Sequence, residues 1–277
     1  LKVGPTPIKR KALELGLPVH QPLKPAALAP QLKALAPDLA VAVAYGRLLR
    51  PEMLAVPRHG TLNVHFSLLP RYRGAAPVQW CLVRGELRTG VTVFWLDEGM
   101  DTGAIFLTRE TEVGPDEDAF QLMTKLQALG LAALDEALSL IERGEIKRIA
   151  QSGEPSLAPL IKKEDAKISL DRPAHDIHNL VRGFRSWPKG YLELQGGQRL
   201  IVLKTKLYDA ASEGTAGRMT PGRITSIERD GSILVQCGFG SRLWVLAVQP
   251  EGKKPVNAAD FLNGLRLGAG DVLPIVQ

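Results

Sequence analysis

T-L-N-V-H-F-S-L-L-P, Thr61 to Pro70, is the stretch that decides the fold. Its first five residues are β-branched or apolar enough for a strand, and the two-residue period of a strand points Asn63 and His65 to one side. The continuation S-L-L-P-R-Y-R-G-A-A-P is rich in Pro and Gly, so the strand is expected to end in a loop over its carboxyl edge. Upstream the pattern predicts a helix from Ala26 to Ala36, a strand from Leu39 to Tyr45 and a short helix from Pro51 to Val56. Downstream it predicts a helix from Ala76 to Arg84 and an apolar strand from Val91 to Leu96. This alternation predicts an α/β fold, a Rossmann-like and mostly parallel sheet covered by helices. Such sheets bind ligands beyond the carboxyl ends of their strands. D-E-G-M-D-T-G, Asp97 to Gly103, follows the second of these strands and gives Asp101 the same address as Asn63 and His65.

A further strand, Ala104 to Thr108, leads to an amphipathic helix from about Asp118 to Glu142, with Asp116 or Asp118 to cap it and Gly144 to end it. Residues 151–166 contain Gly153, Pro155 and Pro159 and few periodic apolar positions, the signature of a connector. After one more helix, Ala174 to Phe184, only short strands are expected: Tyr191 to Leu194, Leu200 to Lys206, Arg223 to Glu228, Ile233 to Cys237 and Leu243 to Val248. They predict a second, smaller β-barrel of the OB-like type. The expected division is residues 1–150, the connector 151–166, and 167–277.

With 277 residues, 45% hydrophobic and 23% charged, the composition is that of an ordinary globular chain with room for two cores. A net charge of +6, shared by both halves, suits a polyanionic partner such as nucleic acid without demanding one. Cys81 and Cys237 form neither a disulfide framework nor a CxxC pair and read as buried thiols in a reducing cytosol. No apolar run approaches the roughly 20 residues of a membrane span, and no basic-then-apolar leader opens the sequence. A nicotinamide dehydrogenase is disfavoured because G-F-G-S-R-L, Gly238 to Leu243, lacks the third glycine of a dinucleotide loop and leads into a strand. His175 and His178 are spaced for a metal pair, but no third ligand accompanies them, so no metal is expected.

An amide, an imidazole and a carboxylate at one sheet edge suit acyl transfer. Taken singly, Asn63 reads as a strand-end amide, His65 as a core imidazole and Asp101 as an Asx-turn residue beside Thr102 and Gly103. Taken together, they supply donors for a developing oxyanion and an acceptor for an amine proton. Asp101 beside His65 is expected to raise the imidazole pKa toward neutrality or above.

The motifs also carry a resemblance. V-A-Y-G-R-L-L (Val43 to Leu49), N-V-H-F-S-L-L-P-R-Y-R-G-A-A-P-V-Q-W (Asn63 to Trp80), D-E-G-M-D-T-G, K-K-E-D-A-K-I (Lys162 to Ile168), P-G-R-I (Pro221 to Ile224), Q-P-E-G-K-K (Gln249 to Lys254) and D-F-L-N-G (Asp260 to Gly264) resemble the methionyl-tRNA formyltransferases. The N-x-H and Asp trio is common to folate-dependent formyltransferases, whereas G-A-A-P-V-Q-W and the carboxyl-terminal motifs resemble the tRNA enzymes in particular. The resemblance implies transfer of a formyl group from 10-formyltetrahydrofolate to initiator methionyl-tRNA by a cytoplasmic monomer, with Asn63, His65 and Asp101 catalytic. It further implies a tetrahydrofolate site at Ser67, Leu68, Leu69 and Pro70, with Tyr45 and Gly46 in the pocket wall. Lys204, Lys206, Arg223, Arg242, Lys253 and Lys254 are its candidates for tRNA phosphates, and Arg71 and Arg73 for phosphate or glutamate contacts or for structural ion pairs. Two alternatives remain open here, a formyltransferase acting on a small amine such as an amino sugar, and a catalytically dead tRNA-binding module.

The sequence departs from that family at several points. It opens at L-K-V-G-P-T-P-I-K, where only the end of the family's acceptor-stem loop matches, and the first two strands and the G-T-P-x-F segment have no counterpart. The expectation is a catalytic half short of its opening strands. Phe66 stands where a small residue is usual and is expected to narrow the site beside His65. Ser169 and Leu170 replace a D-W pair, and R-S-W-P-K-G-Y (Arg185 to Tyr191) replaces N-P-W-P-G-A.

Overall fold

The computed structural model describes residues 4–46, 49–209 and 220–276; Leu1 to Val3 of the opening segment and Arg47 and Leu48 of V-A-Y-G-R-L-L lie outside them. Helix α1 (Pro7–Glu14) is capped by the Thr6 side chain, which accepts from Lys9 N. The single helix expected from Ala26 to Ala36 is instead a 3-10 turn (Pro25–Leu28) followed by α2 (Ala29–Leu35), because Pro30 is tolerated only in a helix's first turn. Strand β1 (Ala40–Ala42), helix α3 (Pro51–Leu54), strand β2 (Thr61–His65), helix α4 (Pro77–Val83), strands β3 (Arg88–Trp95) and β4 (Ile105–Glu112) and helix α5 (Ala119–Glu142) follow.

The four strands form one sheet in the order β1-β2-β3-β4. β1 runs parallel to β2, with Ala42 opposite Asn63, but β2 with β3 and β3 with β4 are antiparallel. Among the described residues, therefore, the Rossmann-like layering of helix on sheet holds, while the mostly parallel direction does not extend past β2. The cause lies in α4. Rather than lying along the sheet as a crossover, it packs mainly against α6 (Ala174–Gly183) of the second half. A Cβ at Gly183 would sit 2.7 Å from Val83 Cγ2 and 3.1 Å from Gln79 O, so glycine lets the two helices approach. β3 and β4 then form a hairpin whose connection carries D-E-G-M-D-T-G.

Asp118, rather than Asp116, caps α5: its Oδ1 accepts from Phe120 N and Gln121 N, and the Gln121 side chain accepts from Asp118 N. Leu122, Leu126, Gly130, Ala133 and Ala137 form the buried stripe of α5, which packs on the sheet. Gly130 makes room for Phe66. A Cβ there would lie 3.1 Å from both the Phe66 ring and Val64.

In the second half, β5 (Tyr191–Glu193), β6 (Arg199–Leu207), β7 (Ile224–Ile227), β8 (Ile233–Gln236), β9 (Arg242–Pro250) and β10 (Val256–Asn257) make an antiparallel sheet of path β5-β6-β9-β8-β7, with β10 beside β9. The chain at 270–276 closes it. Leu273 N and Ile224 N bond across to the β7 edge through Gly222 O and Asp271 O, while Val276 N donates to Glu193 O at the β5 edge. Bonding both edges to one segment turns the open sheet into a barrel and removes its exposed strand edges. Where only strands were expected, α7 (Ala258–Leu265) follows β10: Asn257 caps it by accepting from Asp260 N, and Ala258 and Leu262 share its buried stripe. Cys81 and Cys237 are free and buried, their thiol pKa values pushed up by burial to about 11 and about 12.

The two halves are bolted together at the start of α5. Arg182 of α6 donates to Gly114 O and Glu117 O, and buried His178 donates through Nε2 to Pro115 O while Nδ1 meets the Thr205 hydroxyl. His175 is exposed and pairs with Asp176, so the two histidines do not converge.

Gly103 is the backbone point on which the connection from β3 to β4 turns, since a Cβ there would lie 1.7 Å from Trp95 O. Gly103→Ala is expected to cost at least about 3 kcal/mol in urea denaturation, the upper range for overpacking; a loss below about 1 kcal/mol would show that the loop accommodates a side chain.

Candidate active site

A cavity of about 700 Å³ opens beyond the carboxyl ends of β1 and β2, lined by Asn63 and His65 from β2 and by Asp101 from the β3–β4 connection. The other walls come from Ala42 to Gly46, from Gly74 to Gln79 except Ala76, from Leu96 to Met100 except Glu98, and from Met123 and Gln127 of α5. This size and a mainly apolar lining with a few convergent polar groups are those of a small-molecule site.

His65 is only 6% exposed. Its Nε2 lies 2.8 Å from Tyr72 O, and a carbonyl can only accept, so Nε2 carries the hydrogen. Nδ1 is the nitrogen turned toward Asp101, 3.7 Å from Oδ2. Burial lowers the imidazole pKa below its ordinary 6.5, and it outweighs the raising effects of the Asp101 carboxylate and the Tyr72 carbonyl. The expected upward shift is thus corrected. Asp101 does raise the pKa, but desolvation is larger, and at neutral pH the imidazole is uncharged with Nδ1 free to take a proton.

Asp101 has φ +54°, a left-handed conformation that few residues other than glycine adopt. Its Oδ2 accepts from Gly74 N at 2.8 Å. Asn63 engages no side-chain partner among the described residues, which leaves its amide available to a ligand in the cavity. Phe66 also lines the cavity, its ring backed by Gly130.

Tyr45 and Gly46 stand in the cavity wall as expected, but Ser67, Leu68, Leu69 and Pro70 lie outside its lining. That loop is turned inward and its polar groups are committed. Ser67 Oγ donates to Arg71 O, Thr92 Oγ1 donates to Ser67 O and accepts from Leu69 N, and Pro70 O accepts from Ser156 N. Arg71 pairs with Glu86, and Arg73 binds Gln151, so neither presents a bare guanidinium.

Gln151 and Ser156 do not line the cavity but hold the backbone of residues beside it, Gln151 through Asp101 O and Gly103 O and Ser156 through Tyr72 N, and no sequence motif marks them. The 151–166 segment is strapped to the loop after β2: Arg73 N donates to Ser156 O, Ala158 N to Arg73 O, and Tyr72 N to Ser156 Oγ. Only the Pro and Gly content of that segment was visible in sequence. Its pairing is non-local and left no periodic signal.

Of the six basic candidates, Lys204 and Lys206 share the exposed face of β6, and Arg242 lies over the Tyr208 ring nearby. Lys253 and Lys254 sit in the turn after β9, at the other end of its pairing with β6, and Arg223 donates to Gly270 O. The six are not one patch. A groove of about 440 Å³ at the junction of the halves instead joins Lys204 and Lys206 to Arg182 and Arg185, opposite Asp116 and Asp118. No cluster of three metal-ligating side chains occurs among the described residues, and no described helix is long and apolar enough to cross a membrane.

Comparison with known proteins agrees with this geometry. Residues 16–138 match the family described as formyl transferase, and residues 160–266 match the formyl transferase C-terminal domain. A solved N-formyltransferase from Helicobacter canadensis, in complex with folinic acid and dTDP-3-aminofucose, superposes with a TM-score of 0.63 at 18% identity over 85% of this chain and 81% of that one, a likeness of fold. The methionyl-tRNA formyltransferase of Elusimicrobium minutum is 39% identical over 98% of this chain and 87% of its own length. That of Geobacter metallireducens is 44% identical over 97% of this chain and 84% of its own length. Identity at that level over almost the whole chain, with a formyl transferase family match in each half, makes this chain a member of the methionyl-tRNA formyltransferase family.

Proposed function

We propose that this protein transfers the formyl group of 10-formyltetrahydrofolate to the α-amine of initiator methionyl-tRNA, with Asn63, His65 and Asp101 as its catalytic residues. The observation that carries the reading is that these three side chains line one cavity in a chain that matches relatives of that name over nearly all of its own length. In this reading residues 1–150 are the catalytic unit, 151–166 the connector and 167–277 the tRNA-binding barrel, in a cytoplasmic monomer. The donor's formyl end occupies the cavity between Tyr45, Gly46 and the Asp97 to Asp101 loop, while the Ser67 to Pro70 loop supports the wall from behind. Lys204, Lys206 and Arg185 at the junction groove meet acceptor-arm phosphates, the sequence-independent part of such binding.

The chemistry follows from the arrangement. The α-nitrogen attacks the formyl carbon, a C–N bond forms, and the carbonyl electron pair moves onto the formyl oxygen. The Asn63 amide donates to that oxyanion. The attacking nitrogen, now positively charged, loses a proton to His65 Nδ1, which is uncharged beforehand, and Asp101 stabilises the imidazolium as it forms. The oxygen's electron pair then restores the carbonyl, the bond to N10 breaks with its electrons on that nitrogen, and N10 takes a proton from the imidazolium. Products are formylmethionyl-tRNA and tetrahydrofolate, and the enzyme returns to its starting protonation.

A small amine as acceptor is disfavoured by the basic junction groove, for which it has no use. Transfer from radiolabelled donor to charged initiator tRNA, run beside amino sugars, tests the reading. Label is expected in the tRNA, whereas label only in small amines rejects it. In the same assay Asn63→Ala is expected to lower kcat by about 10²- to 10³-fold, the usual loss for one oxyanion donor, with tRNA binding intact. Unchanged turnover would remove Asn63 from the catalytic set. NMR titration of His65 is expected to give a pKa below 6.5, and Asp101→Asn, which deletes the raising carboxylate, to move it lower still. An upward shift would contradict the assigned environment.

A further inference from the structure

We infer that Gln151, on the segment joining the two halves, is the positioning residue that holds Asp101 in its working conformation. The inference rests on the catalytic reading of Asp101 given above.

Gln151 Oε1 receives two hydrogen bonds from Arg73, at 3.2 Å from Nε and 2.6 Å from Nη2. A guanidinium only donates, so the orientation of the amide is fixed and its NH2 group must face the other way. There it donates twice, to Asp101 O and Gly103 O, both at 2.8 Å. The two carbonyls belong to the D-T-G turn, and clamping them from one side holds Asp101 at φ +54°. The constraint has a directional consequence. With the backbone of Asp101 anchored, its carboxylate is left to reach Gly74 N and to stand 3.7 Å from His65 Nδ1. Gln151 does not itself line the cavity and has no contact with His65; among the lining residues it bonds Asp101, so it acts through Asp101.

Backbone pairing places Gln151 independently of its side chain. Ile149 exchanges two hydrogen bonds with Ile105 at the start of β4, at 2.7 and 2.9 Å, which brings the residue two positions on beside the turn. Arg73 is fixed in its turn by the pairing of its backbone with Ser156 and Ala158. One side chain therefore ties three segments far apart in sequence: the loop after β2, the D-T-G turn and the connector.

Gln151→Glu tests this with the shape preserved. A carboxylate keeps its bond to Arg73 but presents oxygen, not NH2, to the two carbonyls. The expected result for Gln151→Glu and Gln151→Ala is a kcat lower by about a hundredfold, the scale of a misplaced catalytic group, with KM for donor and tRNA within about twofold. The His65 pKa by NMR is expected to fall in both variants, as the carboxylate that raises it moves away. A kcat and His65 pKa equal to wild type in Gln151→Glu would overturn the inference. Asn63→Ala measured alongside separates the two levels: an inactive Asn63→Ala beside a fully active Gln151→Glu refutes the positioning role alone, whereas an active Asn63→Ala refutes the catalytic reading beneath it.

Discussion

The hydrogen bond from His65 Nε2 to the Tyr72 carbonyl is the contact on which the site depends. It commits one ring nitrogen permanently as a donor, and thereby makes the other the only place where a proton can arrive. Burial lowers the pKa of the ring, and in the proposed mechanism the Asp101 carboxylate at 3.7 Å stabilises the charge once it forms. Had the ring been solvent-exposed, proximity to a carboxylate would have left it charged near neutrality and unable to act as a base. A buried imidazole beside an anion is a balance between desolvation and Coulomb attraction, and here desolvation prevails.

The Tyr72 carbonyl in turn is held by the rest of the molecule. Its loop is paired with residues 156–158, and α4, which follows directly, is packed on α6 across the junction of the halves. The second half thus does more than extend the surface. Gln151 and Ser156 of the connector, together with the α4–α6 contact, brace the backbone that orients both His65 and Asp101. The reversal of β3 relative to β2 belongs to the same design, because a helix diverted to the junction cannot serve as a sheet crossover.

Much of this was legible in sequence. The period of two across T-L-N-V-H put Asn63 and His65 on one side, and the glycines after β3 put Asp101 at the same edge, so the trio and its location needed no coordinates. A cap at Asp116 or Asp118, the long α5 and the short strands of the barrel followed from local pattern, while the choice of Asp118 needed the structure. What stayed hidden was non-local. Strand direction past β2 depends on where α4 docks, α7 on an Asn257 cap amid strands, and the roles of Gln151 and Ser156 on pairings between segments some eighty residues apart. The sign of the His65 shift was misjudged for a related reason, since a neighbouring charge shows in the sequence but the depth of burial does not. By composition Ser67 to Pro70 are an ordinary loop, which the family resemblance alone marks for folate, and in the structure Thr92, Arg71 and Ser156 take up polar groups of this loop.

The account's central claim is that one cavity holds the migrating formyl group among Asn63, His65 and Asp101. A structure of the protein with a non-transferable 10-formyltetrahydrofolate analogue tests it most directly. The claim predicts the formyl oxygen within about 2.7 to 3.1 Å of the Asn63 amide nitrogen, with the formyl carbon between that amide and His65 Nδ1. A donor seated in this cavity with its formyl group turned away from both residues, or bound elsewhere on the molecule, would contradict it.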